Sequence, residues 1–373
     1  MTTRRQVVVV GAGPAGSVVA YRLATLGLDV LLIDSANFPR GKVCGCCLNG
    51  TALDVLERIG LGPAIRRLKP VPLRRVRLAY GGRSAVLPFV GGVSLSREAL
   101  DWALIEAAVA AGVEFRPRTK ATVLADRVLQ LKGEDTTTVQ ADAIVAADGL
   151  NGRTVTALTG AKSVIAEQSH LGAGAVLADG DLAAAGEVRM LAGRGGYLGM
   201  VRLEDGRIDL AAAFGAEFVR EAGSLGEAAS IVYREAAGSD APDIAGAAWR
   251  GTPLLTRRPT ASSGPGWLAV GDASGYVEPF TGEGMAWAIA SAAAAAPFVH
   301  KMLEGETPAW ADYQESLLGS RRRACRRLTS ALRRPWFCAL GIRALAMAPW
   351  LAQPFVRRLH APTLPLLVGR SIP

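Results

Sequence analysis

Histidine is scarce in this 373-residue chain, with three in all, at 170, 300 and 360, and none beside the cysteines. A zinc site draws on clustered Cys and His ligands at short spacings, so no metal is expected. The five cysteines, Cys44, Cys46, Cys47, Cys325 and Cys338, do not form the framework of a small secreted protein. Three of them fall within four residues, too close to pair comfortably with one another. Long apolar runs are missing too: no stretch reaches the roughly 18 residues of a membrane span. The best one, 339–352, is interrupted by Arg343 and Pro349. Arg4 and Arg5 precede an apolar run as in a signal peptide, but Val7–Val10 enters a glycine turn with no cleavage site behind it. A cytoplasmic protein is expected. Finally, acidic residues are absent from the end of the chain. Between Gly319 and Pro373 stand eleven Arg and no Lys, Asp or Glu, whereas the whole chain carries a net charge of +9. The basic character belongs to the tail, and no nucleic-acid partner is indicated.

What is present is half hydrophobic and 20% charged, the balance of a folded chain with two or three lobes. Gln6–Val10 is a β-branched run of the kind buried on both faces of a sheet. It leads into Gly11-Ala12-Gly13-Pro14-Ala15-Gly16, a helix to about Leu26, and a second apolar strand from Asp29 to Ile33 closed by Asp34. Residues 35–49 make a long loop bearing the cysteine cluster. Ser96 reads as the N-cap of a helix from Arg97 to Ala111. From about Lys162 to Arg258, short strands such as Tyr197–Leu203 and Arg207–Phe214, with one helix at Leu225–Ala237, predict an antiparallel sheet. Trp267–Val270 returns to a buried parallel strand, followed by an Ala-rich helix from about Thr281 to Leu303. The expected division is 1–70, 97–161 and 262–318 for a nucleotide-binding domain, 71–96 and 162–261 for a substrate domain, and 319–373 for a basic helical segment.

The glycine turn is a dinucleotide fingerprint. Gly11 permits the tight turn, Gly13 lets backbone approach a pyrophosphate, and Gly16 lets helix and strand pack closely. The helix start at Pro14 and Ala15 offers free N–H groups to the phosphates. Asp34, at the tip of the second strand, is placed to hold a ribose diol. Asp148-Gly149 and Gly271-Asp272 each end a predicted parallel strand, where ligands of open α/β sheets bind. Gly172-x-Gly174 lacks a third glycine and a buried strand before it, so no second nucleotide fold is expected.

In combination these stretches resemble a known family. GAGPAG at 11–16, FPRGKVCG at 38–45, Arg97-x-x-Leu100, ADG at 147–149 and GDASGYVEPFTGEGMAWA at 271–288 are similar to the geranylgeranyl reductase branch of FAD-dependent oxidoreductases. The resemblance implies an α/β fold with a Rossmann-like FAD-binding domain of the para-hydroxybenzoate hydroxylase type. An inserted antiparallel β-sheet substrate domain and a helical C-terminal segment complete it. It further implies that Arg40 and Arg97 face the phosphate and ribityl region, that Val123 offers backbone to the adenine, and that Asp272 binds the ribityl or pyrophosphate. The turn Pro279-x-x-Gly282-Glu283-Gly284-Met285 would present backbone N–H groups to the flavin ring. Lys42-Val43-Cys44-Gly45 would run beside that ring. Cys46 and Cys47 read either as thiols touching substrate or flavin, or as small apolar fillers.

Two chemistries compete for the expected oxidoreductase, whose electrons would come from NAD(P)H or another reductant. Monooxygenation of a lipophilic or carrier-bound small molecule, such as an isoprenoid or polyketide, is slightly favoured. The family's Tyr-x-Trp-x-Phe-Pro stretch reads here Tyr197-Leu198-Gly199-Met200-Val201-Arg202, which weakens the long-isoprenoid reading. Alkene reduction is the alternative, with Cys44, Cys46 or Tyr197 supplying a proton. Halogenation is disfavoured because neither the projecting lysine nor the Trp-x-Trp-x-Ile-Pro stretch of halogenases is found, and a non-catalytic flavoprotein stays open. For the tail, a solvated basic appendage, a surface helix for anionic lipid at the inner membrane face, and a dock for an acidic carrier protein are all consistent with the arginines and tryptophans.

Overall fold

The computed structural model describes residues 2–353 apart from 126, 179 and 279 and the side chain at 90. Its first sheet runs Ser263–Gly264, Trp267–Ala269, Thr136–Ala146, Thr2–Val10, Val30–Ile33, Glu114–Arg116. Val7 pairs with Val30 on one side and Ala143 on the other, both in parallel. The continuous apolar runs are explained by burial on both faces. Val7, Val9, Leu32 and Val145 pack under the helices Pro14–Thr25, Arg97–Ala110 and Gly284–Leu303. Val8, Leu31, Ile33 and Ile144 pack under Leu129 and Leu131 of the hairpin Lys120–Val123 and Val128–Lys132. Alanines 292–296 are all buried where the long helix crosses Pro14–Thr25, as small side chains at a close crossing require.

The second sheet runs Arg250–Leu254, Leu171–Leu177, Ile208–Phe214, Gly196–Arg202, Glu187–Gly193, Val71–Tyr80, Arg83–Ser94, Cys47–Leu48. Three sequence expectations change here. The sheet is mixed, because Glu187–Gly193 pairs in parallel with Val71–Tyr80. It recruits Cys47–Leu48 from the long loop, with Cys47 opposite Ser94. And position 319 is no boundary, for the helix Trp310–Leu332 runs straight through it. One face of this sheet packs Leu198, Ile208, Leu210 and Phe214 against the helix Leu225–Ala237. Strand alternation turns Val188, Met190, Gly199, Val201 and Ala211 the other way, toward the first domain.

Beyond residue 309 the chain returns as a strap over the segment that follows the Trp267–Ala269 strand. Trp310 Nε1 donates to the Ala269 carbonyl at 2.9 Å, and Gln314 Nε2 to Ser274 Oγ at 2.8 Å. Arg321 pairs with Glu283 at 2.8 Å, and the Cys325 thiol donates to the Glu278 carbonyl. The arginine run is therefore only partly a solvated face. The helix Pro335–Met347 then lies on Val71–Tyr80 and Arg83–Ser94. No helix of the described residues is long and apolar enough to cross a membrane.

Candidate active site

A cavity of about 340 Å³ opens between the two sheets. Its walls come from the glycine turn (Gly13, Pro14, Ala15), the long loop (Lys42 to Cys47), Arg97, Gly149, Asp272 and the helix start at Gly282, Gly284 and Met285. Its floor is the second sheet, including Met190, Tyr197, Val201, Asp209 and Ala211. Segments hundreds of residues apart meet because parallel strands deliver their carboxyl ends to one edge.

The glycines divide by task. A Cβ on Gly11, whose φ is +106°, would lie 2.3 Å from the Ala147 carbonyl oxygen, and one on Gly16 would lie 1.7 Å from that of Gly11. These two allow the crossing of strand and helix. Gly13 lines the cavity, and it caps the helix Pro14–Thr25 without any side-chain hydrogen bond. That helix start and the one at Gly284, also without a side-chain cap, leave backbone donors free for an anion.

Charge supports the same occupant. Arg97 lies on the cavity wall, held by Asp101 through two 2.8 Å hydrogen bonds. Enclosure in the cavity walls and the neighbouring Arg97 lower the Lys42 ammonium, while Asp272 opposes the shift. Burial raises the Asp272 carboxyl against the attraction of Lys42 and Arg97. Asp34 accepts from the backbone N–H of Ala12 and of Ala36, each at 2.8 Å, which fixes its carboxylate beside the glycine turn. Uncapped helix starts, two cations and an anchored acid fit FAD laid across the crevice. Gly13, Ala15, Lys42 and Arg97 would hold its phosphates, and Gly282 and Gly284 its ring.

Several expected site residues do not line this cavity. Arg40 does not line the cavity; its guanidinium bridges Asp34 at 3.6 Å and Asp101 at 3.9 Å and stacks over Phe38. Val123 pairs with Leu129 in the hairpin, away from the cavity wall. Asp148 turns inward to accept from the Thr154 N–H at 2.8 Å, and burial raises its carboxyl. Gly271 packs against Ala15 and Ala288 and donates its N–H to Ser291. Glu283 is taken by Arg321 and Thr281. Pro279 lies outside the described residues.

The cysteine cluster is built into the wall. Cys46 is 3% exposed and adopts φ +48°, a left-handed conformation that costs a non-glycine residue about 1 kcal/mol or more. Its carbonyl accepts from Leu95 N–H, which ties the loop to the second sheet. The hydrogen bond from Cys46 lowers the Cys44 thiol, and Arg97 adds attraction against the opposing effect of burial. The same contact and burial push Cys46 well up, and burial does likewise for Cys47. All five cysteines are free.

Two features were not legible in the sequence. Asp209 lies on the floor in contact with Cys46, although no motif surrounds it. His170, which stands outside every flavin motif in the chain order, meets Glu278 of the flavin-facing segment at 3.1 Å. Burial and then Glu278 raise the Tyr197 phenol, whose ring meets Phe280 edge-on at 5.0 Å. Among the described residues no group of His, Cys, Asp and Glu is arranged for a metal.

The crevice and its cradle define a flavin-binding protein of the two-sheet class. The chain belongs to the FAD binding domain family, whose pattern matches residues 4–194. It is 35% identical over 153 residues to a menaquinone reductase of Mycobacterium tuberculosis, covering 38% of this chain and 37% of that one. To digeranylgeranylglycerophospholipid reductase 2 of Methanopyrus kandleri it is 36% identical over 154 residues, covering 39% and 38%. The chain thus matches less than two fifths of the length of these relatives. The fold is shared with a geranylgeranyl bacteriochlorophyll reductase-like protein of Thermoplasma acidophilum, at TM-score 0.76 and 18% identity over 98% of this chain and 100% of that one. A flavin-dependent brominase superposes at TM-score 0.78 with 18% identity, covering 96% and 94%.

Proposed function

We propose that the protein is an FAD-dependent oxidoreductase that saturates carbon–carbon double bonds in an apolar, isoprenoid-class substrate. The observation that carries this reading is the wall itself: proton-holding thiols sit over an apolar floor in the same cavity as the dinucleotide cradle. FAD, when bound, supplies hydride transfer, and NAD(P)H or another reductant supplies its electrons. The residues of the chain do the rest. Uncapped helix starts and Arg97 orient the cofactor, the two sheets exclude water, and Cys46 holds a proton at sulfur on the cavity wall beside the Cys44 thiolate. Tyr197 is a further proton-holding group.

Monooxygenation uses the same cradle, but oxygen activation would set an oxidant against three free cysteines, one with a lowered pKa. The thiols favour reduction. The names of the menaquinone and digeranylgeranylglycerophospholipid reductases agree with that direction and with an isoprenoid chain. The test is a single turnover with FAD-loaded protein reduced by dithionite under argon and given geranylgeraniol. Product carrying two added hydrogens per saturated double bond supports the reading. Unchanged alcohol under argon, with hydroxylated product on admitting air, overturns it.

We also propose that the C-terminal face meets an anionic lipid surface. Trp336, Leu340, Met347 and Trp350 are 62–79% exposed beside the exposed Arg334 and Arg343. Aromatic and aliphatic side chains among arginines, with no acid nearby in sequence, suit a headgroup layer.

A further inference from the structure

The floor of the cavity is apolar with one carboxyl group on it. On the strand Ile208–Phe214, Ile208, Leu210 and Phe214 point into the helix-packed core, and Asp209 and Ala211 point into the cavity. Asp209 stands opposite Val201 and Val176 in the sheet, so its strand neighbours offer it nothing polar. Its side chain touches Cys46. It is 5% exposed, and Oδ2 has no hydrogen-bond partner among the described residues.

An unpartnered buried oxygen costs about 1–3 kcal/mol, and a bare carboxylate costs far more. Burial, and then the nearby Cys44, push its carboxyl well above the usual range and so favour the neutral form, against the hydrogen bond from Cys46. A neutral carboxyl is a strong O–H donor, and here the donor has nothing to donate to. The first cost persists until something in the cavity accepts that hydrogen.

We propose that Asp209 is the specificity-determining hydrogen-bond donor of the substrate pocket, and that it selects apolar molecules carrying a carbonyl-type oxygen. The hydrocarbon body lies on Val188, Met190 and Val201, and the oxygen takes the Asp209 O–H. This rests on the reading that substrate shares the cavity with FAD, and it adds to that reading what the substrate must carry.

The experiment compares 1-tetralone with tetralin, two molecules of one shape that differ in a single carbonyl. Binding to oxidised, FAD-loaded protein is followed by the perturbation of the flavin spectrum. Wild type is expected to prefer tetralone by roughly tenfold, the value of one well-made buried hydrogen bond. Asp209→Asn, whose amide also donates, keeps most of that preference. Asp209→Leu loses it, yet retains FAD and still binds tetralin. A Leu variant that keeps the tetralone preference overturns the assignment, as does one that loses FAD, which would place Asp209 against the cofactor instead. If neither probe binds wild type, the substrate cavity itself is refuted, a result distinct from the loss of preference.

Discussion

A single methyl group at Gly16 tests the glycine turn. Gly16→Ala would drive Cβ against the Gly11 carbonyl at 1.7 Å, backbone on backbone, with no flexible end to yield. A loss of about 3 kcal/mol is expected by urea denaturation, with FAD retention falling in parallel. An unchanged midpoint would show that the crossing is looser than described. Cys44 provides a titration. Its thiolate is favoured in the fold, so the rate of iodoacetamide alkylation should rise through an inflection well below the ordinary thiol value of about 8.5. The linked stability has the matching sign: present in full above the ordinary thiol range, and lost as pH falls through the lowered value. In Cys46→Ser the inflection moves, because the partner that lowers Cys44 has changed. An inflection at the ordinary value in wild type contradicts the contact. At this scale the sequence is read easily where a function is local. Gly11, Gly13, Gly16 and Asp34 act within a single strand–turn–helix unit, and their spacing announces it. Asp209 acts through strand alternation and through a loop more than 160 positions earlier, so nothing beside it in the chain marks it.

Between elements, the strap Trp310–Leu332 is the part that composition did not decide. Eleven arginines in the tail left a solvated face, a lipid surface and an acidic partner all open. In the fold Arg321 answers Glu283, which is 3% exposed, and Arg322 reaches the Gly275 carbonyl at 3.3 Å. A buried carboxylate demands a cation, and the nearest came from 38 residues further on; pairing at that distance has no signature in composition. Glu283→Gln removes the anionic partner of Arg321 and should cost about 3 kcal/mol in thermal or urea unfolding, because the guanidinium stays largely enclosed. Its second readout is the flavin site, since Glu283 immediately precedes Gly284. FAD is expected to dissociate faster from the variant than from wild type, and an unaltered off-rate would separate the strap from the cradle. The helix Arg97–Ala110 was legible because its apolar spacing and its cap are local: Ser96 accepts from the Ala99 N–H, and in the helix Leu225–Ala237 the structure shows Ser224 accepting likewise from the Glu227 N–H. The parallel pairing of Glu187–Gly193 with Val71–Tyr80 joins segments over a hundred residues apart, beyond the reach of any periodicity.

For the whole molecule, the two sheets close on one crevice, the strap packs on the segment from Ala269 to Glu283, and the helix Pro335–Met347 that follows it packs on the second sheet. The exposed tryptophans predict a membrane readout. Trp336→Ser with Trp350→Ser should reduce co-sedimentation with phosphatidylglycerol vesicles at least fivefold, an effect in line with the loss of two aromatic anchors in the headgroup layer, and leave FAD content unchanged. High salt should weaken the wild-type interaction. Equal sedimentation of wild type and variant removes lipid from the proposal and leaves an acidic protein as the alternative partner. The proposed activity depends on the crevice receiving FAD along its length, from Asp34 through Gly13 and Arg97 to Gly282. Titration of the cofactor into flavin-stripped protein, followed by fluorescence quenching, addresses this most directly. Saturation at one FAD per chain, weakened by Arg97→Met, is the predicted result. Protein that stays colourless and leaves the fluorescence of added FAD unquenched would contradict it.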